Sequence, residues 1–231
     1  ILNDCELIIL ALPIDKIINP PLELISALPR KAVITDVASV KDPILKSWKD
    51  LHPNFVASHP MAGTSFSGVE SGQLDLFKNR PWVITPDADT DQDALEIVKN
   101  IALKLGSKLI LTDATKHDET VALISHLPVI ISAALIKTLA VQQDPSMTDL
   151  SKKLASSGFA DTSRVGGGNP DLGVAMAANN TSALLKALSC YRWSLDQFEG
   201  AVLAENWPQL LKELRTTQSL RLEFLDNFFN N

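Results

Sequence analysis

The sequence is poor in cysteine. Cys5 and Cys190 are the only two in 231 residues, and both sit among apolar neighbours. Two such residues give no disulfide framework and read as free buried thiols in a reducing cytoplasm. Positive charge is also short. The 27 acidic residues outweigh 21 Lys and Arg, leaving a net charge of -6. That balance argues against nucleic acid or an anionic membrane as the expected partner, so an anionic substrate must be held by local cations. No charged segment leading into an apolar stretch suggests a signal peptide, and no apolar run reads as long enough to span a membrane. No repeat or low-complexity tract is visible. What remains is 45% hydrophobic and 21% charged, an ordinary globular mixture with enough apolar material for a core.

The chain opens at Ile1 and soon enters "CELIILALP", residues 5–13. A continuous apolar run ended by proline predicts a parallel strand covered on both faces. So early a buried strand needs neighbours on both sides, and an upstream piece is expected. Residues 15–28 read as a helix broken at Pro20-Pro21. Residues 31–39 form a second buried strand, and residues 43–51 a short helix. "NFVASHP" is a third strand, residues 80–87 another, and residues 108–113 a further one. Between the last two, residues 91–105 read as an amphipathic helix stopped by Gly106. Strands alternating with helices predict a parallel or mixed sheet with helices packed on it.

From about Thr115 onward no strand is read. "HDETVALISHLPVIISAALIKTLAVQQ" is one long apolar helix, bent at Pro128. Residues 147–156 are a second helix and residues 157–171 a loop rich in glycine and polar residues. Residues 182–206 and 207–229 are long amphipathic helices. The fold class is therefore α/β plus all-α, with an α/β domain over residues 1–114 and a helical domain over residues 115–231. The stretch "VALISHLPVIISAALI" is apolar nearly all round, which predicts a central helix. In a small unit its cover comes most simply from a second copy, so a homodimer is expected.

Six positions stand out chemically. His59 lies in "ASHPMAGTSFSG", residues 57–68, a stretch with almost no bulk. It is either a capped turn histidine or an imidazole handling a proton where small residues let a substrate reach the backbone. It follows a predicted strand, where parallel sheets gather their sites. Ser39, in "DVASVK", also follows a strand end and reads equally as a turn or N-cap serine. His126 reads as a satisfied core histidine of the long helix. Asp118, two turns earlier, can face the same cleft; a buried aspartate there is costly unless paired or used. Arg164, in "FADTSRVGGGNP", is either a solvated loop arginine or, with small residues around it, a carboxylate ligand. Asp161, three residues earlier, can orient it.

Together, "DVASVK", "SHPMAGT", "HDETVALISHLP" and "SSGFADTSRVGGGNP" resemble, in order and approximate spacing, the prephenate/arogenate dehydrogenases of tyrosine biosynthesis. The form of the motifs is similar to that of the cyanobacterial arogenate dehydrogenases. The resemblance implies a partial Rossmann-type dinucleotide-binding domain followed by a helical dimerisation domain. It implies oxidative decarboxylation of prephenate or arogenate with NADP or NAD, in a cytoplasmic homodimer. Hydride leaves C4 of the substrate ring, carbon dioxide leaves C1, and the ring becomes aromatic. By resemblance His59 accepts the proton of the C4 hydroxyl, and Ser39 stands between nicotinamide and substrate. Gly63 and Thr64 make room for the ring, and Thr64 contacts the substrate. Arg164 binds a carboxylate, Asp118 and Asp161 position that arginine or close the cleft, and His126 lines the pocket. Ala11, Leu12 and Pro13 lie along the cofactor. No metal is implied.

Two departures matter. Some members carry a second histidine three residues after the "SHLP" histidine, where this chain has Val129, so the choice between keto acid and amino acid stays open. The family's opening GxGxxG turn, which cradles the pyrophosphate, is absent from these 231 residues. The sequence reads as starting at the family's fourth strand. The chain as written is then expected to bind NAD or NADP very weakly, and the alternative reading is an impaired fragment acting as a dimeric substrate-binding module. β-Hydroxyacid dehydrogenases place a catalytic lysine on the helical unit; Lys137 and Lys152 have no matching motif.

Overall fold

The computed structural model describes residues 2–63, 68, 70 and 72–229, with side chains to residue 226. The fold is mixed α/β followed by helices, the predicted class. The first part runs β1 (Leu7–Leu10), α1 (Ile14–Ile18), α2 (Leu22–Ala27), β2 (Val33–Asp36), α3 (Asp42–Trp48), β3 (Phe55–Val56), β4 (Ser58–Pro60), β5 (Pro81–Ile84), α4 (Gln92–Lys104) and β6 (Lys108–Leu111). Pro20 and Pro21 separate α1 from α2, as proline neither donates to a helix nor tolerates one before it. Gly106, at φ +74°, supplies the left-handed residue that stops α4. At the other end of α4 the Asp91 carboxylate caps the Ala94 amide at 2.8 Å.

β1, β2 and β3 form a parallel sheet in that order. β4, β5 and β6 form a second one, with β4 antiparallel and β6 parallel to β5. Only Ala57 separates β3 from β4, and its carbonyl accepts from Thr85 N at 3.0 Å. Residues 55–60 thus change partner from β2 to β5 in mid-strand. Their alternation joins two cores. Phe55 and Ala57 pack with Ile34, Ile44 and Trp48 on one face, while Val56 packs with Val33, Trp82, Leu95 and Val98 on the other. Helices therefore cover both faces.

β2 is buried at all four residues, as predicted for a parallel strand. β1 corrects the prediction of cover on both faces: only Leu10 is buried, and Ile9 is 44% exposed. Among the described residues β1 is bonded on one side only, to β2, which leaves it an edge strand. The cysteines need a correction too, since Cys5 is only partly buried and Cys190 is exposed.

The second part is helical, with no strand among the described residues after Leu111: α5 (Ala114–Val121), a π turn (Ala122–His126), α6 (Leu127–Ala140), α7 (Pro145–Leu154), α8 (Ser157–Ser163), a 3-10 turn (Arg164–Gly167), α9 (Pro170–Asn179), α10 (Thr181–Leu203) and α11 (Trp207–Phe229). In the π turn Leu127 N–H reaches back five residues to Ala122 O. The widened turn immediately precedes Pro128, whose ring crowds the carbonyl four residues back. The helix Ala114–Ala140 is long and apolar enough, by length and composition, to cross a membrane. That corrects the reading that no run reaches such a length. Residues 120–136 are interrupted by Ser125, His126 and Ser132 but contain no Asp, Glu, Lys or Arg.

Residues 157–167 also overturn an expectation, being helical where a loop was predicted. Their Gly, Ser, Asp and Thr content favours loops only when packing is silent. Here α8 and the 3-10 turn lie on α6. The Ser132 hydroxyl donates to Thr162 O at 2.8 Å and accepts from Gly166 N at 2.9 Å. Gly166 sits so close that a β-carbon there would lie 2.3 Å from Ala133 N. By compactness the chain divides into Ile1–Leu184 and Leu185–Asn231, so the α/β part and the first helices share one unit. In the other, Trp193, Leu203, Trp207, Leu211 and Leu214 are exposed.

Candidate active site

β1, β2 and β3 are parallel, so their carboxyl ends share one edge of the sheet, where α/β sites gather. Ala11, Leu12 and Pro13 follow β1, Ser39 follows β2, and His59 follows β3 on β4. Ala11, Leu12 and Pro13 are exposed, and Ser39 is half-buried. The Ser39 loop is pinned at both ends. Ala38 N donates to Asp36 Oδ2 at 3.0 Å. Lys41 N and Asp42 N donate to the two carboxylate oxygens of Asp118 at 2.8 and 2.9 Å. Asp118 thereby caps the start of α3, where amides have no helical partner.

Beneath this edge lies a buried polar knot. Lys41 and Asp36 form a fully buried ion pair. Lys41 Nζ also donates to Ser58 O at 2.6 Å. Ser58 N donates to Asp36 Oδ1 at 3.1 Å, and Ser58 Oγ to Asp36 O at 2.8 Å. Thr35 Oγ1 completes the set, bonding Val56 O at 2.7 Å and Ser58 Oγ at 2.9 Å. Burial pushes the Lys41 ammonium down from its usual range, against the opposing pull of Asp36. The knot fixes Ser58, and through it the strand position of its neighbour His59.

Three of the chain's four histidines converge above it. His59 Nδ1 lies 2.9 Å from His117 Nε2, with the rings at 78°. His117 Nδ1 lies 2.7 Å from Asp118 Oδ1. Asn180, at the end of α9, donates from Nδ2 to Asp118 O at 2.7 Å and lies 3.3 Å from His126 Nδ1. His126 Nε2 is buried without a hydrogen-bond partner among the described residues. Burial is the largest cause holding His59 well below the usual imidazole range, followed by Lys41, His117 and His126. His126 is also pushed down, mainly by burial. A neutral, part-buried imidazole at a strand end can accept a proton from a ligand.

The structure thus gathers His59, Asp118 and His126 in one network, with the Ser39 loop tied to Asp118. Asp118 is engaged by the Lys41 and Asp42 amides and His117. Arg164 and Asp161 stand on the 3-10 turn and α8, both exposed, with no ion pair between them. Gly63 is exposed with open space where a β-carbon would stand. Thr64 lies outside the described residues. Sequence reading missed His117, Asn180 and the Lys41–Asp36 pair. The adjacent His-Asp of "HDETV", in a chain with so few histidines, was the available signal for His117.

Residues 1–111 match the family model for the prephenate dehydrogenase nucleotide-binding domain, and residues 113–216 that for its dimerization domain. The chain belongs to the prephenate dehydrogenase family. It is 31% identical to the cyclohexadienyl dehydrogenase of Zymomonas mobilis over 222 residues, covering 95% of this chain and 75% of that one. Among solved structures it resembles Synechocystis arogenate dehydrogenase at 43% identity and a TM-score of 0.86, over 96% of this chain and 80% of that one. Prephenate dehydrogenase from Aquifex aeolicus, solved with hydroxyphenyl propionate and NAD+, matches at 26% identity and a TM-score of 0.88, over 95% and 76%. Membership supports a dehydrogenase role in tyrosine biosynthesis, with a nucleotide-binding domain followed by a dimerization domain.

Proposed function

We propose that this chain carries the proton-accepting centre of an enzyme that oxidatively decarboxylates arogenate or prephenate with NADP or NAD. The observation that carries this reading is the position of His59. It stands at the carboxyl edge of the sheet, half-buried, with Nδ1 already occupied by His117. Exposed Ala11, Leu12 and Pro13, with the Ser39 hydroxyl, fit the nicotinamide end of a dinucleotide. The pyrophosphate-cradling GxGxxG turn is not in these residues. When bound, the nicotinamide supplies the hydride acceptor. His59 takes the C4 hydroxyl proton through Nε2 as hydride departs, leaving a ring carbonyl. Loss of carbon dioxide from C1 returns its electron pair to the ring, and His59 gives the proton back to the aromatic oxygen. Ser39 orients the hydroxyl, and His126 Nε2 offers a buried polar atom on the substrate side. Arg164, exposed and in no ion pair among the described residues, holds a substrate carboxylate. Asp118 holds the Ser39 loop, and Asp161, beside Arg164 on the same segment, closes the cleft over the substrate.

Arogenate is favoured over prephenate by Val129, which leaves the substrate's side-chain end without the second histidine of some members, and by the higher identity to the Synechocystis enzyme. The helical part pairs with a second copy, which fits both its family model and its exposed apolar residues. The test is His59→Asn in the full-length protein. Turnover should fall far more than the Michaelis constant rises, because proton acceptance matters only as the transition state forms. Near-normal turnover would remove His59 from this role.

A further inference from the structure

Two imidazoles in hydrogen-bond contact cannot both present a lone pair or both present a proton. At the His59–His117 contact the choice is made further along the network. Asp118 Oδ1 faces Lys41 N and Oδ2 faces Asp42 N, so both oxygens are already accepting. The carboxylate therefore accepts from His117 Nδ1 as well, at 2.7 Å, and His117 Nδ1 carries a proton. In a neutral ring the proton on Nδ1 leaves Nε2 as a lone pair. His117 Nε2 then accepts, and His59 Nδ1 donates, across 2.9 Å. His59 Nε2 is left bare.

We propose that His117 is a positioning residue, anchored on Asp118, that locks His59 in the tautomer whose Nε2 lone pair is free to accept the substrate proton. The proposal rests on the reading of His59 as proton acceptor. In the step itself the substrate O–H bond breaks, its electron pair stays on oxygen as hydride departs, and an N–H bond forms at His59 Nε2. The imidazolium that results keeps its Nδ1–H on His117, where a lone pair polarised by Asp118 stabilises it. The logic is that of an Asp-His pair behind a catalytic base, extended by one imidazole. His117 is 3% exposed and so cannot substitute solvent for either partner. The other charged or titratable groups facing His59 are Lys41 and His126; Asp118 reaches it only through His117.

The direct test is the ring-nitrogen NMR of the intact chain with 15N-labelled histidine and no ligand, which reads tautomers without reference to activity. His59 and His117 should both show protonated Nδ1 and bare Nε2. His59 protonated at Nε2 overturns the proposal, whatever the enzyme's substrate. In the full-length protein, His117→Asn keeps the link to Asp118 but offers His59 no acceptor, and should lower kcat about a hundredfold with little change in KM. His117→Gln places a carbonyl oxygen at the Nε2 position and should recover most of that loss and retain the His59 tautomer. Unchanged kcat in His117→Asn, or equal losses in both variants, contradicts the proposal. If instead His59→Asn retains turnover, the reading of His59 as base fails and the tautomer result still stands or falls alone.

Discussion

Asp118 on α5 accepts from the backbone of Lys41, 77 residues earlier, at 2.8 Å. A side chain of the first helix after the sheet thus holds the loop that carries Ser39. The same carboxylate takes His117 Nδ1, which in turn meets His59. One acidic group therefore sets both the Ser39 loop and the imidazole across from it. In the proposed reaction Ser39 and His59 act on one hydroxyl, and such a pair gains from being fixed in a common frame, since misplacement by about 1 Å is costly in rate.

Acid should destabilise the fold before carboxylates titrate. His52, His59 and His126 are all held below the usual imidazole range, with burial the largest cause in each. The unfolded chain releases these protons at about pH 6.5. Below that value it binds more protons than the folded chain, so stability is complete above it and falls as pH drops toward the folded values. Melting temperature measured from pH 7.5 to 5 should decline, and His126→Asn should decline less steeply. A flat or rising profile contradicts the burial of neutral imidazoles.

Arg164 should matter to ligand and not to fold. It is exposed and forms no ion pair with an acid among the described residues. Arg164→Ala should leave the melting temperature unchanged and weaken arogenate or prephenate binding by about 1.5–3 kcal/mol, roughly tenfold to a hundredfold. Unchanged affinity by calorimetry would mean that the guanidinium is only solvated.

Gly166 should not tolerate a methyl group. An added β-carbon would meet Ala133 N at 2.3 Å and Ser132 C at 2.4 Å, and both are backbone atoms that cannot swing away. Gly166→Ala should cost about 1–3 kcal/mol or more by denaturant unfolding. It should also raise KM, because the same turn carries Arg164. Wild-type stability would show that α6 and the turn are not in this contact.

The sheet was legible because its strands write themselves as apolar runs closed by Pro or Asp, as at residues 31–36 and 54–60. Ser39 and His59 followed from those ends. The helical turn carrying Arg164 was not legible, since its small polar residues favour a loop until Ser132 and α6 hold them. Nor were His117, Lys41 and Asn180. His117 and Asn180 act through partners distant in sequence, 58 residues away for the His59–His117 contact and 62 for Asn180–Asp118. A lysine buried against Asp36 looks, in sequence, like any solvated lysine.

The helical part should form a dimer. Trp193, Leu203, Trp207 and Leu211 are exposed on the helices of Leu185–Asn231, and the family model over residues 113–216 is a dimerization domain. Burying such faces at about 25 cal/mol per Å2 is a strong drive to associate. Light scattering at micromolar concentration should report two copies; a monomer contradicts it.

The most direct measurement follows NAD(P)H absorbance and released carbon dioxide together, in the full-length protein given arogenate or prephenate with each nucleotide. One NAD(P)H and one carbon dioxide should appear per aromatic product, and both should be lost together in His59→Asn. Reduction without decarboxylation, or equal turnover without the imidazole, would contradict the assignment of His59 as the group that takes the hydroxyl proton.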